Sequence, residues 1–466
     1  MLTHEQCERL LSLLTSTGAS YADVFVERRE LTSLRLDAQQ IEQAVTGTES
    51  GVGLRMVRGD MTYYASTNLG EFADLETLAR ELAAVSDPSA LQPFLLREKT
   101  AAERNSMRID PRTISLGEKL QLLQRADETA RAASEKITQV AASYSDSVRD
   151  ILVATSQGDL CFDHRVLVTF VVHAMASDNG EIQSGRKVVS GAEGWEFFER
   201  AENQPETLAR LASQVALRNL EADNAPAGTF PVVLSSSAGG TMVHEACGHG
   251  LEGDFVKQGM SVYSGKIGER VASDLITVID DGTLPQKRGT ERFDDEGVET
   301  ERVVLIERGI LKRYLHSRKS AAETNMAPTG NGRRESFRFV PIPRMRNTII
   351  MPGEQDPADI IASVDKGIFV AEMGGGEVDV VSGNFLFSIT EGFLIENGRI
   401  TKPIRGASLI GNGPEVLSTI DMIGRDLGYS VGTCGKDGQG VPVADAQPTL
   451  RIPAIVVGGI TAREQS

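Results

Sequence analysis

Apolar residues recur at helical spacing over residues 4–16, where Leu10, Leu11, Leu13 and Leu14 cluster and Gly18 ends the run. From residue 20 the period changes. Segments 21–29, 31–38, 51–59 and 61–66 alternate between polar turns, which predicts a run of antiparallel strands over 20–67. Helical spacing returns at 73–86 and stops before Asp87-Pro88, and a polar linker follows at 97–113. A long helix is predicted at 114–136 and a second strand set at 138–190. An amphipathic helix is predicted at 205–222, with Pro205 in its first turn. Helices and strands alternate in groups, so residues 1–223 are expected to form an α+β domain.

The stretch from Asn224 to Gly228 marks the expected boundary. Beyond it, short apolar runs punctuated by glycine predict a β-rich second domain over 224–466. Segments 304–315 and 393–404 are alike, and each reads as a hairpin, turning at Arg308-Gly309 and at Asn397-Gly398. Either an internal duplication or shared turn chemistry accounts for the likeness. The fold class is α+β, an N-terminal domain of helices and antiparallel strands followed by a β-rich domain.

Bulk properties narrow the function. A chain of 466 residues is too long for one ordinary core. A net charge of -17 repels phosphate backbones and argues against nucleic-acid binding. Four cysteines, Cys7, Cys161, Cys247 and Cys434, lack the spacing of a disulfide framework and fit reduced thiols. The first residues are polar and acidic where a signal peptide needs a basic start, and no apolar run approaches the ~20 residues that span a bilayer. The chain is therefore expected to stay in the cytoplasm, off the membrane.

Candidate chemistry concentrates in residues 231–255. Residues 231–234 read as a buried strand, and Ser235 to Ser237 offer a cap for a helix that carries His244, Glu245 and His249. Two imidazoles and a carboxylate suit Zn²⁺ with a water in an open position, the carboxylate acting as general base. With only 6 His in the chain, such a grouping is improbable by chance. The spacing is five residues, where the familiar zinc-protease helix has four. On a regular helix this would turn His249 roughly 140° away from His244. The segment is therefore expected to distort, as a π-type bulge would allow, with Gly248 and Gly250 freeing the backbone. For a third ligand, Cys247, Glu252 and Asp254 lie close by. Chemistry favours Cys434, placed by the sequence in a glycine-rich loop that leaves it little packing reason to exist.

The segment from His244 to Phe255, together with Cys434, resembles the TldD/PmbA family of metalloproteases. The resemblance extends over most of the chain through residues 329–336, 343–348 and 373–385 and the run after Cys434. It implies that His244, His249 and Cys434 bind the metal and that Glu245 is the catalytic carboxylate. It also implies unfolded or short peptides as substrates, taken in extended form, and a heterodimer with a TldE/PmbA-like paralogue; a homodimer is the alternative. An extended peptide is expected to add to an exposed strand, with Gly374 and Gly375 supplying backbone groups. Arg333, Arg334, Arg344 and Arg346 form a local basic patch, with Arg344 a candidate for substrate contact. Tyr314 and His316, at a strand end, are candidates for oxyanion stabilisation. A non-catalytic partner subunit or a metal-dependent amidase would share most of these features.

Overall fold

The computed structural model describes residues 1–84 and 93–459. The first helix, His4–Thr15, starts at a capping box between Thr3 and Gln6 and buries Leu10, Leu11 and Leu14. The helix expected at 73–86 is Phe72–Ala83; the last two expected residues and the Asp87-Pro88 stop lie outside the described residues. Ser115 and Glu118 form a second capping box at the head of Leu116–Ala132, and Pro205 opens Pro205–Glu221.

These helices cover one face of a seven-stranded sheet. Its order is Met61–Asn68, Gln40–Arg58, Tyr21–Asp37, Ile137–Thr155, Asp159–Asp178, with Arg97–Lys99 and Glu181–Gly191 both paired to the last of these. Two meanders of three strands, each preceded and followed by a helix, meet through antiparallel pairing of their first strands, Asp23 opposite Thr155 through to Asp37 opposite Ala141. The strands are about twice the expected length. Segments 21–29 and 31–38 are one strand of 17 residues, and 138–147 and 150–157 fall largely within one of 19. The residues expected to break them continue the ladder instead, Glu30 opposite Val148 and Arg149 opposite Arg29, and the buried charges nearby are paired. Glu27 accepts from Arg149 at 2.7 Å, and Asp146 accepts from Lys119 at 2.6 Å. The expected linker holds the short strand Arg97–Lys99 and a single turn at Pro111–Thr113.

Alternation decides what each face of this sheet meets. Val24 and Val26 point to the helices, while Phe25 joins Ile151, Phe293 and Phe337 on the other side. Asp23, Arg55 and Arg165 also face that side, and they pair with charges from the second half of the chain. Arg55 contacts Asp23 and Glu296, the latter at 2.7 Å, and Arg165 contacts Asp295 at 2.7 Å. Removing one partner of such a buried pair is destabilising because the other charge is stranded.

The second half contains two larger sheets. In one, the strands Lys366–Val378, Gly228–Leu234, Leu450–Gly458, Ala407–Asn412 and Asn384–Glu396 close into a barrel through pairing of the first with the last. The other runs Ile310–Leu311, Arg302–Glu307, Val278–Asp281, Thr348–Ile350, Gln439–Gln447 and Gly428–Lys436. Both expected hairpins form, with left-handed residues at Arg308-Gly309 and Asn397-Gly398. They belong to different sheets. No helix among the described residues is long and apolar enough to cross a membrane.

Candidate metal centre

The barrel strand Gly228–Leu234 leads directly into the segment that carries the histidines. Gly240 packs so closely against the hairpin 428–447 that a Cβ there would lie 2.3 Å from the Ala446 nitrogen. One helical turn, Thr241–Val243, is followed by π-helical geometry over His244–Gly248 and a tight turn over His249–Leu251. The widened turn absorbs the extra residue and brings the two imidazole rings to 5.0 Å between centroids. Gly248 and Gly250 serve a different purpose from the one expected. Gly248 is right-handed helical, at φ -54°, so no backbone freedom is being used. A Cβ on Gly248 would lie 2.0 Å from the Met345 sulfur, and one on Gly250 2.7 Å from the Tyr263 ring. Both positions require close approach. The Tyr263 hydroxyl donates to the Ala246 carbonyl inside the widened turn at 2.9 Å.

Cys434 is not on a loop. It lies in the edge strand Gly428–Lys436, whose hairpin turns at Asp437-Gly438 and places it opposite Val441. One donor atom each from His244, His249 and Cys434 lie within 4.8 Å of one another, and all three residues are buried. The Cys434 sulfur is 3.4 Å from His249 Nε2. Each histidine is oriented from behind through Nδ1, His244 by Asp445 at 3.1 Å and His249 by Glu252 at 3.1 Å. That leaves each Nε2 for an ion. Glu252 is held in turn by Lys436 at 3.0 Å and lies 3.9 Å from Arg344. Two imidazoles and a thiolate, with carboxylates behind the imidazoles, fit a borderline-soft divalent ion with an open position.

The electrostatics match. Burial pushes the Cys434 thiol up, but His244 and His249 outweigh it and bring the thiol down to about 5. Burial pulls His249 down, yet Glu252 and Cys434 raise it to about 9, and Asp445 and Cys434 likewise raise His244 against its burial. In the metal-free protein the thiol is thus biased towards its ionised form and both rings towards protonation. Metal uptake at pH 7 is expected to release at least one proton, that of His249, with affinity rising as the pH climbs towards about 9. Calorimetry in buffers of different ionisation enthalpy counts the protons; release of none would contradict the assignment.

Glu245 lines a cavity of about 1540 Å³ on which the three donors also open. Burial raises its carboxyl, partly offset by the two histidines. Gly374 and Gly375 line the same cavity, in the strand Lys366–Val378. Cys247 points elsewhere. It is fully buried, its sulfur donates to the Val243 carbonyl at 3.4 Å, and burial raises its thiol to about 12.

The expected basic patch and the expected oxyanion groups are both buried in other roles. Arg333, Arg334, Arg344 and Arg346 are no surface patch; each is at most 1% exposed. Arg346 pairs with Glu291 at 2.6 Å, and Arg333 and Arg334 face Glu291 and Asp23. Arg344 cannot touch a substrate, since it is sealed behind the metal hairpin, donating to the Cys434 and Gln439 carbonyls. His316 is buried away from the cavity lining beside Ser320, and burial, with Arg313, lowers it to about 4. Tyr314 donates to the Tyr263 carbonyl at 2.7 Å and braces the segment near the histidines. Sequence reasoning missed Asp445 and Lys436 as supporting residues. Both lie in the hairpin that carries Cys434, and Asp445 is opposite Ser430 on the neighbouring strand.

Comparison with known proteins follows the same lines. The chain matches the PmbA/TldA metallopeptidase domain 1 over residues 22–86, the central domain over 109–220 and the C-terminal domain over 227–459. It is 38% identical to a metalloprotease TldD homolog of Buchnera aphidicola subsp. Schizaphis graminum, covering 98% of this chain and 96% of that one. It is also 38% identical to a metalloprotease TldD homolog of Haemophilus influenzae, covering 97% and 95%. The crystal structure of TldE from Thermococcus kodakarensis superposes with a TM-score of 0.78 at 18% identity, covering 98% of this chain and 99% of that one, a likeness of fold.

Proposed function

The chain belongs to the PmbA/TldD metallopeptidase family, and on that premise we propose that it is a zinc peptidase acting on unfolded or short peptides. The observation that carries this reading is the convergence of His244, His249 and Cys434 on one point beside Glu245, at the wall of a peptide-sized cavity. When bound, zinc supplies Lewis-acid activation of a water and of the scissile carbonyl. Asp445 and Glu252 hold the imidazoles in one tautomer, with Nε2 turned to the ion. Glu245, its proton affinity raised by burial, takes the proton of the attacking water and returns it to the leaving amine.

Three strands turn unpaired edges toward this cavity: Glu181–Gly191, Gly428–Lys436 and the segment of Lys366–Val378 beyond its pairing with Gly228–Leu234. An extended peptide adds to such an edge through backbone hydrogen bonds, which tolerate many sequences. A folded substrate offers no free strand to add. Metal-loaded protein is expected to digest an unfolded protein such as reduced casein, to stop when a chelator removes the ion, and to resume when zinc is returned. Digestion that continues at full rate after verified metal removal would end the proposal. The fold shared with TldE supports pairing with a TldE-like chain or with a second copy. Light scattering of the purified chain, alone and with such a paralogue, decides between them; a monomer in both would exclude the pairing.

A further inference from the structure

Arg288 stands on the cavity wall where the N-terminal sheet meets the hairpin that carries Cys434. Its Nε donates to the Gly432 carbonyl at 2.9 Å and its Nη1 to the Thr169 hydroxyl at 2.8 Å and to Ser190. Its Nη2 donates to the Thr433 hydroxyl at 3.3 Å. All four acceptors are neutral. Among the described residues no carboxylate pairs with it, in contrast to Arg165, Arg333, Arg334 and Arg346, which all face acids. A guanidinium has five N–H groups, so one Nη2 proton and an uncompensated charge remain. Burial lowers its basicity to about 10, with no anion to offset the loss. Lys287, next in the chain, also lines the cavity without an ion pair among the described residues. Its Nζ lies 3.7 Å over the Tyr429 ring.

The other cations of the wall are spoken for or open to water. Lys187 pairs with Glu372, Arg200 with Glu193, and Lys436 with Glu252 and Asp254. Arg186 is exposed. Of the lining acids without an ion pair, Glu377 and Asp437 are exposed and Glu245 lies beside the histidines. In a protein of net charge -17, Arg288 and Lys287 are two neighbouring cations of the cavity wall without an ion pair among the described residues. Gly432 and Thr433, which hold Arg288, immediately precede Cys434, so this cation stands close to the candidate metal site.

Resting on the peptidase reading, we propose that Arg288 and Lys287 form a carboxylate-binding subsite. The favoured substrates are then peptides with an acidic side chain or a free C-terminal carboxylate near the scissile bond. The neutral acceptors fix the guanidinium plane, and the substrate carboxylate provides the missing counter-charge through the remaining Nη2 proton and the Lys287 ammonium.

The test uses one unstructured peptide in three forms: free C-terminal acid with Gln inside, C-terminal amide with Gln inside, and C-terminal amide with Glu inside. The zinc-loaded protein is expected to favour at least one carboxylate form over the all-amide form by about tenfold in kcat/KM, the effect of one charge-assisted hydrogen bond. Which form wins identifies the source of the carboxylate. Arg288→Gln is expected to bring that ratio near one, and Arg288→Lys to keep part of it. Lys287→Gln, which disturbs none of the Arg288 contacts, is expected to lower it also, so the outcome does not depend on Arg288→Gln folding. A wild-type ratio near one for both carboxylate forms overturns the subsite. Failure to cleave any of the three would count against the peptidase reading alone. Fluorescence anisotropy then reads the same ratio in Kd, and equal affinities for all three forms overturn the subsite independently.

Discussion

Replacing Glu245 by Gln is expected to cut peptide hydrolysis by about 10³-fold, within the 10²–10⁴ range of general acid–base groups, while metal content stays at the wild-type level. The two halves of this expectation come from different parts of the geometry. The donors of His244, His249 and Cys434 converge without Glu245, so an amide in its place leaves them intact. The carboxylate lines the cavity beside them, where burial raises its affinity for a proton. Glutamine keeps the shape and loses the ability to accept that proton. Metal analysis with a digestion assay on the same sample separates the halves. Retained turnover would remove Glu245 from the mechanism, whereas lost metal would make it part of the binding site.

Cys434→Ser is expected to weaken metal binding by roughly two orders of magnitude or more, beyond the 10–100-fold usual for loss of an outer partner. The contrast with Cys247 makes this informative, because both cysteines are buried and only one is ionised. The thiol of Cys434, pulled down by the two histidines, is a ready ligand, whereas that of Cys247, raised to about 12 by burial, is an inert core group. Cys247→Ala is therefore expected to leave metal affinity unchanged within error. Competition with a chromophoric chelator gives both constants. Equal losses in the two variants, or a loss only at Cys247, would reassign the third donor.

The architecture was legible in the sequence wherever local chemistry determines it. Pro205 starts a helix because its missing N–H suits a helix N-terminus, and Asn397-Gly398 makes a tight hairpin whatever surrounds it. The five-residue spacing of His244 and His249 pointed to a distorted turn because a regular helix would part the rings, and the π-helical segment is that distortion. What could not be read depends on partners far away in sequence. Glu30 reads as a turn residue until the 19-residue partner strand sets it opposite Val148. The four arginines between 333 and 346 look like a surface patch until Glu291, Asp23 and Glu252 are brought in to bury them.

The site shows the same division. Glycines around Cys434 suggested a loop, yet they lie in a paired hairpin, where strand geometry sets the thiol against the histidines. Gly248 and Gly250 signal a special backbone from sequence alone; only the positions of Met345 and Tyr263 reveal that space is what they provide. Asp445 carried no local signal at all. Its role follows from pairing with Ser430, which brings it behind His244.

X-ray absorption at the zinc edge of the purified, zinc-loaded chain interrogates the centre without relying on turnover. One sulfur at about 2.3 Å and two imidazole nitrogens at about 2.0–2.1 Å, completed by a light oxygen scatterer, is the shell that the geometry requires. A first shell of nitrogen and oxygen alone would mean that Cys434 does not meet the histidines at the ion, and the account would fail at its root.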